Sequence, residues 1–138
     1  MNRALWIVQG LLAALFLFAG ATKLAMPLDE LSEMTGLPAA LIAFIGAAEI
    51  LGALGLILPG LLRIRPGLTP LAAAGLVVIM IGATALTAAG VGGGDAVTAL
   101  FPLVTGVLTA SVAYGRWRLR PLGRTSRTAY QQAAQSAA

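Results

Sequence analysis

Residues 39–58 read AALIAFIGAAEILGALGLIL, an apolar run interrupted by one charge, Glu49. Without that glutamate the run would be an ordinary membrane helix, because about 20 residues rising 1.5 Å each cross the roughly 30 Å of bilayer hydrocarbon. With it, a carboxylate sits at mid-depth, at a cost of roughly 2.5–3.5 kcal/mol on insertion scales. A residue kept at that cost has a partner or a task. Ile42, Gly46, Glu49 and Ala53 share one helical face, with Gly52 and Gly55 beside it. Small residues let helix backbones approach, so Glu49 is expected to point into a seam between helices.

Composition extends this reading to the whole chain. Of 138 residues, 59% are hydrophobic and 10% charged, against about 25% charged in a soluble domain. Apolar stretches run from about Ala4 to Thr22, Pro38 to Leu58, Leu68 to Ala89 and Ala96 to Tyr114. Lipid cannot satisfy free backbone groups, so each is expected to be helical. Breakers separate them: Pro27, Pro38, Pro59-Gly60, Pro66-Gly67, Pro70 and the Gly92–Gly94 run. Asp95 is placed to cap the fourth helix, and Pro102 falls within its first two turns, where it would kink the helix. The expected fold is all-α, an integral membrane four-helix bundle over residues 1–115. The tail, 116–138, is basic and then polar, and reads as disordered.

Charge sets the orientation. Arg3, Arg63, Arg65, Arg116, Arg118, Arg120, Arg124 and Arg127 are eight of the nine basic residues, and four spans put them all on one side. The positive-inside rule makes that side cytoplasmic, with both termini there. Lys23 alone lies toward the other side, near Asp29, Glu30 and Glu33. Leu28, Leu31, Met34 and Leu37 interleave with those acids at helical spacing, which predicts a short interfacial helix. The N-terminal apolar stretch is longer than the 7–15 residues of a signal-peptide core, so it is read as a retained span. Trp117 and Tyr114 beside the arginines suit an interfacial anchor, and the basic tail would attract anionic lipid. The basic residues sit at the ends of apolar runs, which argues against a nucleic-acid partner.

Candidate site residues follow from the helix faces. In the first span Gln9, Ala13, Phe16, Gly20 and Lys23 form one stripe. Lys23 and Glu49 are the principal candidates, as a ligand-binding site or a buried ion pair. Gln9, Gly20, Gly46, Thr84 and Thr105 are candidate pocket lining. Membrane threonines commonly bond to their own helix's carbonyls and glycine faces commonly pack, so most of these also have an architectural reading. Depth separates the two charges: Glu49 is about 16 Å from the start of its helix and Lys23 about 6 Å from the end of its own, an offset near 10 Å. Three readings stay open for Glu49: a structural pair with Lys23, a polar pocket for a small molecule or quinone head group, or a proton-coupled transport residue. The chain has no cysteine and no histidine, which removes disulfides, thiol chemistry, the usual zinc sites and haem ligation by those residues. It carries no nucleophile–base pair, and Gly92–Gly94 lacks the lysine of a phosphate-binding loop. It is read as no enzyme on its own.

Three stretches resemble the DoxX-like family of small membrane proteins: GLLAALFLFAGATKL (residues 10–24), GAAEILGALGLILPG (46–60) and LAAAGLVVIMIGA (71–83). The resemblance implies a multi-pass, four-helix protein of the bacterial inner membrane. The family takes its name from a subunit of an archaeal thiosulfate–quinone oxidoreductase, and some members associate with redox enzymes. It implies that Lys23 and Glu49 are functional positions. Many members carry a histidine or other polar residue late in the third span, where this chain has Thr84 and Thr87 and no histidine. The expected function is a binding or accessory subunit for a membrane-associated or quinone-linked oxidoreductase. Its ligand would be a quinone or other lipid-like molecule, and its partners membrane lipids, an oxidoreductase subunit or a second copy of the chain. The alternatives are a dimeric proton-coupled small-molecule exporter and a purely structural or assembly subunit.

Overall fold

Six helices account for most of the chain in the computed structural model, which describes residues 2–65, 67–119 and 124–137. Pro66 and Arg120 lie outside the described residues. The helices are α1 (Asn2–Ala25), α2 (Leu28–Thr35), α3 (Ala39–Leu61), α4 (Leu68–Ala88), α5 (Leu100–Tyr114) and α6 (Arg124–Ser136). A 3-10 turn, Val91–Gly93, joins α4 to α5, and a π-helical segment, Gly115–Leu119, continues α5. No strand occurs among the described residues. Residues Arg3–Ala25, Ala39–Leu61 and Leu68–Ala88 are long and apolar enough to cross a membrane.

Local chemistry explains where the elements end. Pro27 precedes α2, and Gly36 closes it at φ 70°, its N–H donating to Ser32 O; only glycine takes that left-handed conformation at no steric cost. Pro59 does not stop α3 as its sequence position suggests. It sits in the last turn, where its missing N–H removes one ladder bond, and the helix closes beyond it with Leu62 N–H to Leu58 O at 2.8 Å. The α3–α4 reversal is sharp, with Arg63 at φ 56° and Arg65 at φ 41°.

The fourth apolar run differs most from its expected limits. Asp95 and Thr98 form a reciprocal cap: Thr98 N–H donates to Asp95 Oδ1 at 2.7 Å and Asp95 N–H to Thr98 Oγ1 at 2.8 Å. That turn occupies residues 95–99, so regular helix begins only at Leu100 and α5 has 15 residues, about 22 Å of rise. Pro102 lies in the first turn, where no intrahelical donor is required. The tail differs too. Residues expected to be disordered include a second helix, α6, whose Gln-Gln-Ala-Ala-Gln stretch is rich in helix formers.

Packing follows a ring: α1 lies on α3, α3 on α4, α4 on α5, and α5 returns to α1. Leu12 and Phe16, Ala53 and Leu56, Leu76 and Met80, and Val112 meet in the centre. The outward surface is apolar, with Phe18, Phe44, Leu51 and Val78 each more than two-thirds exposed. A face of this kind suits lipid rather than water. One end of the ring holds α2 against the Val91–Gly93 turn. The start of α1, the α3–α4 reversal and the end of α5 lie at the opposite end.

Candidate functional site

Helices α1 and α3 run antiparallel and touch through glycines. A Cβ on Gly20 would lie 2.6 Å from Gly46 O and 2.8 Å from Ile50 Cγ1, so only hydrogen fits there. Lys23 follows Gly20 by one turn, and Glu49 follows Gly46 by one turn. Their side chains meet: Lys23 Nζ donates to Glu49 Oε2 at 2.8 Å, with the lysine side chain 34% exposed and the carboxylate 4%. The charge read as costly in lipid is matched by a direct partner.

The pair opens onto a cavity of about 290 Å³. Phe16 and Ala19 of α1, Met80 and Thr87 of α4, and Phe101 and Thr105 of α5 complete much of its wall. Among the described residues Glu49 makes one side-chain hydrogen bond, through Oε2, which leaves Oε1 as an acceptor. Lys23 has further N–H donors beyond the one it gives to Glu49. One wall of the cavity can therefore both donate and accept, while the others are largely apolar or aromatic. That is the composition of a small-molecule site.

The candidate residues separate into four places. Lys23, Glu49 and Thr105 line the cavity. Gly20 and Gly46 form the seam behind it. Thr84 borders a different, apolar hollow between α4 and α5. The hydroxyls of Thr84 and Thr105 bond to Met80 O and Phe101 O, each one turn back on its own helix, so neither points a free donor at the pair. Gln9 lies at the opposite end of α1, where its Nε2 donates to Leu56 O. Thr87, noted beside Thr84 late in the third span, lines the cavity, and Phe101 and Met80 join it on faces of α5 and α4 that helical periodicity does not match to α1.

Gln9 belongs to a second polar cluster that the sequence hides. Arg116 Nε donates to Gln9 Oε1 at 2.9 Å, and its guanidinium lies 5.0 Å from the centre of the Trp6 ring. Arg116 is 2% exposed. By sequence it is one more stop-transfer charge in a solvated tail. Gly115 explains the difference: a Cβ there would meet Leu5 Cδ2 at 2.9 Å, so the missing side chain lets the end of α5 approach α1 and carries Arg116 inward.

Fold and site together define a helical membrane protein with a buried lysine–glutamate pair beside a small cavity. The DoxX-like family model matches residues 7–112, a stretch that includes both charges and the whole cavity wall, and the chain belongs to that family. No curated protein and no solved structure matches it.

Proposed function

We propose that the chain is a four-span protein of the bacterial inner membrane that binds a small quinone-like or lipid-like molecule at Lys23 and Glu49. In this role it serves as a binding or accessory subunit for a membrane-associated oxidoreductase. The observation that carries the binding role is the ion pair forming one wall of an otherwise largely apolar cavity of about 290 Å³. The four-span arrangement, with both termini in the cytoplasm, is supported by the segregation of eight of nine basic residues to one side. In it α5 is the fourth crossing, with Asp95 at its outer end and Arg116 and Arg118 at its cytoplasmic end. The accessory role rests on family membership and on the absence from the sequence of cysteine and histidine, which leaves redox chemistry to a bound ligand or a partner. Proton-coupled export is less well supported, because the carboxylate that would exchange protons is held by Lys23.

The test is mass spectrometry of organic extracts from protein purified in mild detergent. Wild type is expected to retain an amphipathic molecule that a Lys23→Met/Glu49→Gln variant loses. Identical extracts from the two folded proteins would refute the binding role. Partners retained in the same detergent test the accessory role.

A further inference from the structure

A second hollow, of about 380 Å³, runs along the outer seam between α4 and α5. Val77, Ile81 and Ala85 form one wall, and Leu103, Gly106 and Val107 the other. From Val77 to Ala88 the groove follows about 16 Å of α4. Gly106 gives it depth, since a Cβ there would lie 3.0 Å from Met80 Cβ.

Met80 and Pro102 line this groove and also the cavity at Lys23–Glu49. The two hollows are therefore neighbours across one shared wall. One end is charged, with spare donors on Lys23 and a spare acceptor on Glu49. The other is apolar and faces the surface that lipid covers. We infer that they are the head and tail subsites for one molecule, a single-chain amphiphile whose head group carries a hydroxyl. The hydroxyl donates to Glu49 Oε1 and accepts from Lys23 Nζ, and the chain lies between α4 and α5. A single groove suits one chain, which argues against a two-chain phospholipid as the occupant. The inference rests on the proposed binding role and adds the ligand's shape and its route, sideways from the bilayer past Pro102.

Photolabelling of the full chain in nanodiscs tests it, with two hydroquinone probes. One carries a diazirine on the ring. The other carries it at the far end of a single alkyl chain. Ring-probe adducts are expected on Ala83, Thr87 or Phe101, and chain-probe adducts on Val77, Ile81 or Ala85 of α4 or on Leu103, Val107 or Ala110 of α5. Excess free hydroquinone should chase both sets, because the head anchors the chain. Ala85→Trp, which fills the groove, should abolish the chain adducts. Chain adducts elsewhere on the surface, or groove adducts that free hydroquinone does not chase, would overturn the tail subsite while ring labelling still upheld the cavity. Loss of ring labelling at the cavity would overturn the binding role and this inference with it. The competition uses the wild-type chain, so the outcome does not depend on folding of the variant.

Discussion

Lys23 and Glu49 each stand three residues beyond a glycine of one contact, Gly20 against Gly46, and they bond across it at 2.8 Å. On antiparallel helices those steps lead in opposite directions, so the two Cα atoms are offset by roughly 9 Å along the axes. Every Cα–Cβ bond in an α-helix tilts toward that helix's own N-terminus. Lys23 therefore leans back along α1 and Glu49 back along α3, each toward the glycine level. The axial offset does not hinder a direct pair; it is what lets two extended side chains meet tip to tip.

The glycine seam should tolerate no methyl group. Gly20→Ala is expected to lower stability in detergent by about 1–3 kcal/mol, the range for overpacking. A Cβ added at Gly10, on the same helix, would have nothing within 4 Å of it, so Gly10→Ala should stay within about 0.5 kcal/mol of wild type. Equal thermal shifts for the two would show that the seam is loose.

The ion pair should reveal itself by coupling. Lys23→Ala leaves a nearly buried carboxylate alone, and Glu49→Ala leaves a lysine directed into the interior. Each should reduce stability, and the double change should cost less than the sum by about 1–3 kcal/mol. Chemical or thermal unfolding of all four proteins closes the cycle, and additive losses would exclude a direct pair.

Arg116 should not be replaceable by lysine. Its Nε bond to Gln9 and its position over Trp6 use the planar guanidinium, which an ammonium cannot reproduce. Arg116→Lys is expected to cost about 1–3 kcal/mol by leaving Gln9 Oε1 without its donor. An unchanged melting curve would return this arginine to the surface.

The buried hydroxyl of Thr69 has no hydrogen-bond partner among the described residues and the residue is fully covered. Thr69→Val keeps the shape and removes the polar group, so it should be neutral or stabilising by about 1 kcal/mol. A clear loss of stability would mean that the hydroxyl is bonded after all.

The cap of the last connection should loosen in acid. Thr98 holds the Asp95 carboxyl below its ordinary value of 3.8, first through its backbone N–H and then through its hydroxyl. A lowered native value means the cap is fully formed above that ordinary value and is lost as pH falls through the lowered one. Protection of the Thr98 amide, corrected for intrinsic exchange, should fall over that range in wild type. It should be flat with pH in Asp95→Asn, which keeps an acceptor oxygen but does not titrate.

Much of this is legible in the residues. Apolar runs locate the three long helices to within a few positions, and interleaved acids and leucines announce α2. Gly46 and Glu49 on one face point to the seam. What periodicity cannot supply is the offset between helices, and with it the partners of each face. Gln9 and Lys23 share a stripe on α1, yet one serves each end of the molecule. Thr84 and Thr105 look equivalent in sequence, but α4 turns Thr84 into the groove while Thr105 reaches the cavity. Arg116 is concealed by its company: among five tail arginines nothing marks the one that a preceding glycine draws inside.

The clasps between α1 and α3 also decide which parts of the molecule can move. The bond from Gln9 to Leu56 O stands eleven residues along α1 from the Gly20–Gly46 contact, and the diagonal bridge from Lys23 opposes sliding. Together they make α1 and α3 a stiff plank. Helix α5 is pinned to that plank at its far end by Arg116, and near Pro102 no such tie is found among the described residues. The Phe101 end of α5 is therefore moored to α1 and α3 by apolar packing alone among the described residues, while its Arg116 end is anchored by a polar bond as well.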